Sequence, residues 1–232
     1  MPEESGGCPE QGKIGKTEKQ RWEAAKKQNR KYRKDRKEKE EKKMAKIAIC
    51  MADGCEEIEA LTVVDVIRRA QMEIVMLSVG GSRKVTGSHG IAFETDDLID
   101  NVNWDEIDGI VLPGGMPGTL HLGESAPVTD RIRAFAKEGK LVAAICAAPS
   151  VLGDNGLLEG KKATSFPGFE DRLTGAEYVT DPVAVDGNII TSRGMGTAID
   201  FALSIVAYFT DRETAASLGE SFMYDRFWET LA

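Results

Sequence analysis

One short segment, KIAICM at Lys46–Met51, constrains the fold more than any other. It is an apolar run of strand length; turn residues follow it, and Ile58, Leu61, Val64 and Ile67 then recur at helical spacing. The chain therefore passes from strand to helix with little loop between them. The alternation continues. Glu73–Val79, Gly109–Leu112, Leu141–Ile145 and Asn188–Ser192 read as strands, and Ala126–Lys137 and Met195–Thr210 as helices. Strands separated by helices imply an α/β fold with a mostly parallel sheet and helices on both faces. Asp186-Gly187, between Val183–Val185 and Asn188–Thr191, reads as a hairpin turn, so one strand pair is expected to be antiparallel. Phe222, Met223, Phe227, Trp228 and Leu231 are spaced like one face of a C-terminal helix, which should pack on the domain or on a partner.

Charge divides the 232 residues at Met44. Residues 1–43 hold 15 of the 30 Lys/Arg but only 9 of the 38 Asp/Glu, so the net charge of −8 comes from the remainder. Residues 13–43 have almost no large apolar side chain beyond Ile14, Trp22 and Tyr32, and such a segment buries too little surface to offset its ordering entropy. Thr17 and Gln20 resemble a capping box, and the run from there to Met44 lacks Gly and Pro. A solvated helix or a disordered extension over 1–43 is expected, followed by one α/β domain over 44–232. A basic tail for nucleic acid is the weaker reading, because interleaved Glu and Asp reduce the field that phosphates would feel. Met44 is an alternative functional start. Deleting residues 1–43 is expected to leave turnover and melting temperature nearly unchanged. A fall of more than about 5 °C, on the order of 1–2 kcal/mol for a domain this size, would show instead that the extension packs on the body.

No apolar run approaches the ~20 residues of a membrane-spanning helix. The N-terminus also lacks the apolar core and cleavage site of a signal peptide, so neither membrane insertion nor export is expected. Cys8, Cys50, Cys55 and Cys146 show neither a disulfide framework nor metal-type spacing, which points to a reducing, cytoplasmic interior.

In open parallel sheets ligands gather beyond the carboxyl ends of the strands. Three candidates fall there: Glu59 after the first strand, Pro113-Gly114-Gly115 after Gly109–Leu112, and Cys146 after Leu141–Ile145. Cys146 closes the apolar run LVAAI and is followed by Ala147, Ala148 and Pro149, residues that permit a tight turn into a helix. A thiol at a helix N-terminus should be acidified below its free value of about 8.5. The alternative is an inert core cysteine, as Cys50 reads in its strand; Cys55 reads as a loop residue. Glu59 shares a helical face with Val63, Val66 and Ala70, where packing alone would not place a carboxyl group. Buried there it should be protonated, able to donate a hydrogen bond to a thiolate and to move a proton to substrate. Its alternative is a first-turn Glu that complements the helix dipole, the role assigned to Glu56 and Glu57. Gly114 and Gly115 offer amides that approach a substrate oxygen with no Cβ in the way.

The only histidines are His89 and His121, neither just after a main strand, and no metal cluster or nucleotide-binding glycine loop is visible. No metal and no cofactor are therefore expected.

These motifs together resemble the ThiJ/PfpI superfamily, in the branch of the Parkinsonism-associated protein deglycase and its bacterial relatives. The resemblance runs from Met44 to Leu218 through GCEEIE (Gly54–Glu59), VDVIRRA (Val64–Ala70), VLPGG (Val111–Gly115), AAICAAP (Ala143–Pro149) and TSRGMGTAIDFAL (Thr191–Leu203). It implies a flavodoxin-like three-layer sandwich, a homodimer, Cys146 as reactive thiol, Glu59 as its protonated partner, and Gly114, Gly115 and the Ala147 amide around a substrate oxygen. The protease branch has His directly after the nucleophile, where this chain has Ala147. Amidotransferase relatives use a His downstream of the cysteine, and none follows Cys146 here. Some deglycase-branch members carry a His where this chain has Phe166. Two readings remain. One is a cofactor-independent glyoxalase or deglycase acting on methylglyoxal or on its early adducts on proteins and thiols. The other is a redox sensor or chaperone working through oxidation of Cys146.

Overall fold

The computed structural model describes residues 45–224. Its central sheet has seven strands: β1 (Lys46–Met51), β2 (Glu73–Ser78), β3 (Asp97–Leu98), β4 (Gly109–Leu112), β5 (Leu141–Ile145), β6 (Val183–Asp186) and β7 (Ile189–Ser192). They lie in the order β6-β7-β5-β4-β1-β2-β3. Every neighbouring pair is parallel except β6 and β7, which meet in the expected hairpin with its turn one residue later, at Gly187-Asn188, because Asp186 still pairs with Ile189. Two short ribbons, Lys84–Thr86 with Ala92–Glu94 and Lys162–Ala163 with Glu177–Tyr178, sit outside the sheet.

The central strands β4 and β5 are wholly apolar, and β1 is so after Lys46, because both faces of the sheet are covered there. Ile47, Ile49, Met51, Val111, Ala143 and Ile145 join one core with Ala60, Val63 and Ile67 of α1 (Glu57–Arg69) and Phe201 and Ile205 of α5 (Ala198–Phe209). The alternate residues Ala48, Cys50, Ile110, Leu112, Val142 and Ala144 face the other core. There they meet Leu122 of α2 (Gly118–Glu124), Ile132 and Phe135 of α3 (Ala126–Glu138) and Leu152 of α4 (Pro149–Asp154). The period-2 split of each strand between two cores is what makes the molecule a three-layer, flavodoxin-like sandwich.

Local departures from the sequence reading have local causes. The stretch expected to be helical from Met195 opens as a 3₁₀ turn, Met195–Thr197, before α5 begins. A further helix, α6 (Arg212–Ser221), was not anticipated; its signal is Asp211, whose carboxylate caps it by accepting the Thr214 N–H at 2.8 Å. The helix ends at Phe222, and Met223 is left-handed with φ 65°, so the apolar spacing does not continue as a helix through this point. Phe227, Trp228 and Leu231 lie outside the described residues, as do residues 1–43. Cys55 is in a loop but fully buried, which corrects its reading as an ordinary loop position. Among the described residues no helix is long and apolar enough to cross a membrane.

Candidate active site

The strand order sets β5, β4 and β1 side by side, so the residues that follow them converge. Cys146, directly after β5, has a left-handed backbone with φ 65°. That conformation costs a non-glycine residue on the order of 1 kcal/mol or more, and it is held here from both sides. The Cys146 N–H donates to the Ser192 carbonyl at 2.9 Å, and its own carbonyl accepts from the Phe166 N–H at 2.8 Å. The turn lifts the side chain off the strand and leaves it half-buried, unlike Cys50 and Cys55. Helix α4 begins only at Pro149, with Ala148 as its cap. The thiol thus stands before the helix rather than in its first turn.

Glu59, in the first turn of α1, is 1% exposed. Its Oε2 accepts the Gly114 N–H at 2.9 Å, and its Oε1 is buried with no N–H or O–H partner. Burial pushes this carboxyl up to about 7; the neighbouring Cys146 thiol and the Gly114 amide pull it down, and the Glu56 charge adds to the rise. Glu59 therefore titrates near neutrality instead of being fully ionised there, in the direction its setting among Val63 and Val66 implies.

The thiol behaves differently from the expectation of an acidified cysteine. Burial pushes Cys146 up to about 12, the Glu59 charge and hydrogen bond act in the same direction, and the amides of Ala147 and Gly115 only partly oppose them. A helix end two residues away and a helix of 6 residues cannot outweigh that desolvation. Two acids in contact titrate as a pair. Between the two values the pair holds one proton, and sulfur becomes nucleophilic when that proton passes to the Glu59 carboxylate.

The two glycines are spatial requirements. A Cβ on Gly114 would lie 2.6 Å from Cys146 Cβ and 2.7 Å from Glu59 Oε2, so any side chain there would displace the pair. Gly115 has φ 88°, and a Cβ on it would fall 2.3 Å from Glu56 N. Their roles separate: the Gly114 N–H is committed to Glu59, whereas the Gly115 and Ala147 amides face the sulfur. Gly114 is thus a clamp on the carboxyl group rather than the oxyanion donor expected of it.

Glu57 differs from its expected role as a dipole-complementing surface residue. It is 3% exposed, and its Oε1 accepts the His89 N–H at 2.8 Å while its Oε2 lies 2.9 Å from His89 Nδ1. Burial pushes its pKa up, but the His89 side chain and the amides of His89 and Ile91 outweigh it and hold the carboxyl at about 2. Glu56, Glu57 and His89 form the one group among the described residues that brings at least three ligand-type atoms within 4.8 Å, and hydrogen bonds inside the chain account for its arrangement. No spacing motif signals it, since 32 residues separate Glu57 from His89. His121 is remote in role, its Nδ1 lying 2.8 Å from the Asp53 carbonyl oxygen. Gly194 is a further neighbour not singled out by sequence. A Cβ there would lie 3.3 Å from the Phe166 ring and 3.8 Å from Glu59 Oε1, so a side chain at Gly194 would crowd both.

Fold and geometry together define a parallel α/β protein in which a cysteine on a left-handed turn faces a buried carboxyl group. The chain belongs to the DJ-1/PfpI family, whose profile matches residues 45–208. Protein DJ-1 homolog B of Arabidopsis thaliana is 39% identical over 176 residues, which is 75% of this chain and 40% of that protein. The chain thus spans less than half the length of this plant relative. Deglycase PH1704 of Pyrococcus horikoshii is 43% identical over 112 residues, covering 47% of this chain and 66% of that one. The solved structure of oxidised Toxoplasma gondii DJ-1 is 37% identical with a TM-score of 0.75, and the match covers 78% of this chain and 98% of that chain.

Proposed function

We propose that the chain is a cofactor-independent glyoxalase or deglycase that uses Cys146 as nucleophile on methylglyoxal or on its early protein and thiol adducts. The observation that carries this reading is the half-buried thiol beside a buried carboxyl group whose Oε1 has no N–H or O–H partner. Oε1 is placed to pass a proton, because the Gly114 amide holds the carboxyl group through its other oxygen. The similarity to a protein named a deglycase supports the same reaction class.

Sulfur adds to the aldehyde carbon, the thiol proton passes to Glu59, and the developing oxyanion meets the Gly115 and Ala147 amides. Glu59 returns that proton to the oxygen, which gives a hemithioacetal. The carboxylate then takes the proton from the former aldehyde carbon, giving an enediol, and delivers it to the adjacent carbon while the hydroxyl proton on the former aldehyde oxygen passes to the neighbouring oxygen, leaving a lactoyl thioester. Water cleaves the thioester to lactate and frees the thiol. One carbon is oxidised as its neighbour is reduced, so the steps balance with water as the only co-reactant.

The setting is read as cytoplasmic, since a free thiol has to stay reduced. The chain is read as a homodimer: exposed Ile58, Leu61 and Ile91 line a groove of about 470 Å³ along α1, an apolar face suited to a second copy. A second reading, redox sensing through Cys146 oxidation, is favoured by the oxidised state of the Toxoplasma relative. Steady-state lactate formation from methylglyoxal in chelator-treated buffer separates the two. Sustained turnover is expected, and its absence with a reduced, folded protein would overturn the enzymatic reading in favour of the sensor.

A further inference from the structure

The start of α1 is closed into a ring of hydrogen bonds that the mechanism above does not use. Glu56 caps the helix, its Oε2 accepting the Glu59 N–H at 2.6 Å. Its own N–H donates to the Gly114 carbonyl at 2.9 Å, and the Gly114 N–H donates to Glu59 Oε2 at 2.9 Å. The ring therefore runs from Glu56 to Gly114, from Gly114 to Glu59, and back to Glu56. Capping alone is commonly met by Ser, Thr, Asp or Asn. The Glu here is 12% exposed at its side chain, so it brings a little-screened charge to the end of the helix that carries Glu59.

We propose that Glu56 is a positioning residue for the Cys146–Glu59 pair: it fixes the Glu59 end of α1 against the Gly114-Gly115 turn, and its charge biases where the shared proton resides. A carboxylate at Glu56 disfavours a second negative charge at Glu59, in the same direction as burial. The other groups around the pair can be named. Cys146 faces Glu59 from the turn after β5, and the turn after β4 contributes two uncharged amides, Gly114 to the carboxyl group and Gly115 to the sulfur. His89, on the loop ahead of Ile91, lies 3.8 Å from Glu56 Oε1 and, when protonated, offsets part of its charge. Arg193, beside Gly194, donates to the Thr180 carbonyl at 3.0 Å. Among the described residues, His89 is the one cationic side chain within 4.0 Å of a Glu56 carboxylate oxygen.

The turnover arm of the test rests on the function proposed above; the alkylation arm does not. The pH dependence of Cys146 alkylation by iodoacetamide and of methylglyoxal turnover is measured for the full chain and for Glu56→Gln and Glu56→Ala. Gln keeps a hydrogen-bond acceptor of the same reach and removes the charge. In Glu56→Gln the neutral-range inflection of both profiles is expected to move to lower pH by roughly half a unit or more, the scale of one charge a few ångströms away. Glu56→Ala loses the acceptor too, and its turnover at the optimum is expected to fall at least about tenfold below that of Glu56→Gln. A purely structural cap would leave the inflection of the Gln variant where it is, and that result overturns the inference even if the Ala variant fails to fold. A shifted alkylation profile with no lactate from any protein would uphold the positioning role and reject the enzymatic reading.

Discussion

Cys146→Ser is expected to lower lactate formation from methylglyoxal by on the order of 10³-fold or more, with the melting temperature within a few degrees of wild type. The hydroxyl is close to the thiol in size and is compatible with the same left-handed turn, whose backbone bonds to Ser192 and Phe166 do not involve the side chain. It cannot give up its proton to Glu59 as a thiol can, so nucleophilic addition stops while the fold persists. Cys50 and Cys55 are the controls. Both are fully buried, whereas Cys146 is half-buried, so although burial pushes all three thiols up to about 12, only Cys146 can meet a substrate. Their replacement by Ala should lower stability by about 1–2 kcal/mol through the small cavity left behind, with turnover per folded molecule maintained. More than a few per cent activity in Cys146→Ser, or a comparable loss of turnover in either control, would remove Cys146 from the mechanism.

Glu59→Gln separates two properties of one side chain. It can still donate a hydrogen bond but carries no transferable proton, so turnover is expected to fall by about 10²- to 10⁴-fold, the usual contribution of general acid–base catalysis. Thiol reactivity should move the opposite way. The Glu59 charge is one cause of the raised Cys146 pKa, and a neutral donor removes that opposition, so alkylation sets in at lower pH than in wild type. Glu59→Leu removes charge and donor together and should fall between the two, because burial still disfavours the thiolate. A sensor needs only the thiolate, so in that reading Glu59→Gln oxidises at least as readily as wild type. Stability gives an independent check. The folded-state pKa of Glu59, about 7, lies above its ordinary 4.5, so its contribution is complete below about pH 4.5 and is lost as pH rises through about 7. The difference corresponds to about 3 kcal/mol, and it should be missing from the pH–stability curve of Glu59→Gln. Wild-type turnover in Glu59→Gln would end the acid–base role. An unchanged thiol profile in Glu59→Leu would mean that the two side chains do not interact.

Cys146 and Glu59 are both legible in the sequence alone, for different reasons. Cys146 ends an apolar strand at a run of small residues, and Glu59 interrupts the apolar face of α1. Each anomaly is local, so one segment is enough to reveal it. The left-handed backbone of Cys146 left no such mark, because it is imposed by Ser192 and Phe166, which are distant in sequence. The direction of its pKa is not legible for the same reason: a helix end can be read from Pro149, whereas desolvation by the surrounding chain cannot.

The sequence by itself determined the alternation of strands and helices, the parallel sheet, the antiparallel β6–β7 pair and the identity of the two central side chains. These follow from hydrophobic period, turn chemistry and single residues out of place. Tertiary structure alone decided that β1, β4 and β5 are neighbours, and with that the remaining assignments. The Gly114 amide holds the carboxyl instead of a substrate oxygen, Glu56 closes a ring with Gly114 and Glu59, and Glu57 is buried against His89. Each of these joins segments whose proximity depends on strand order, and their charges are set by how much water the assembled layers exclude. Neither quantity is a property of any one stretch of chain.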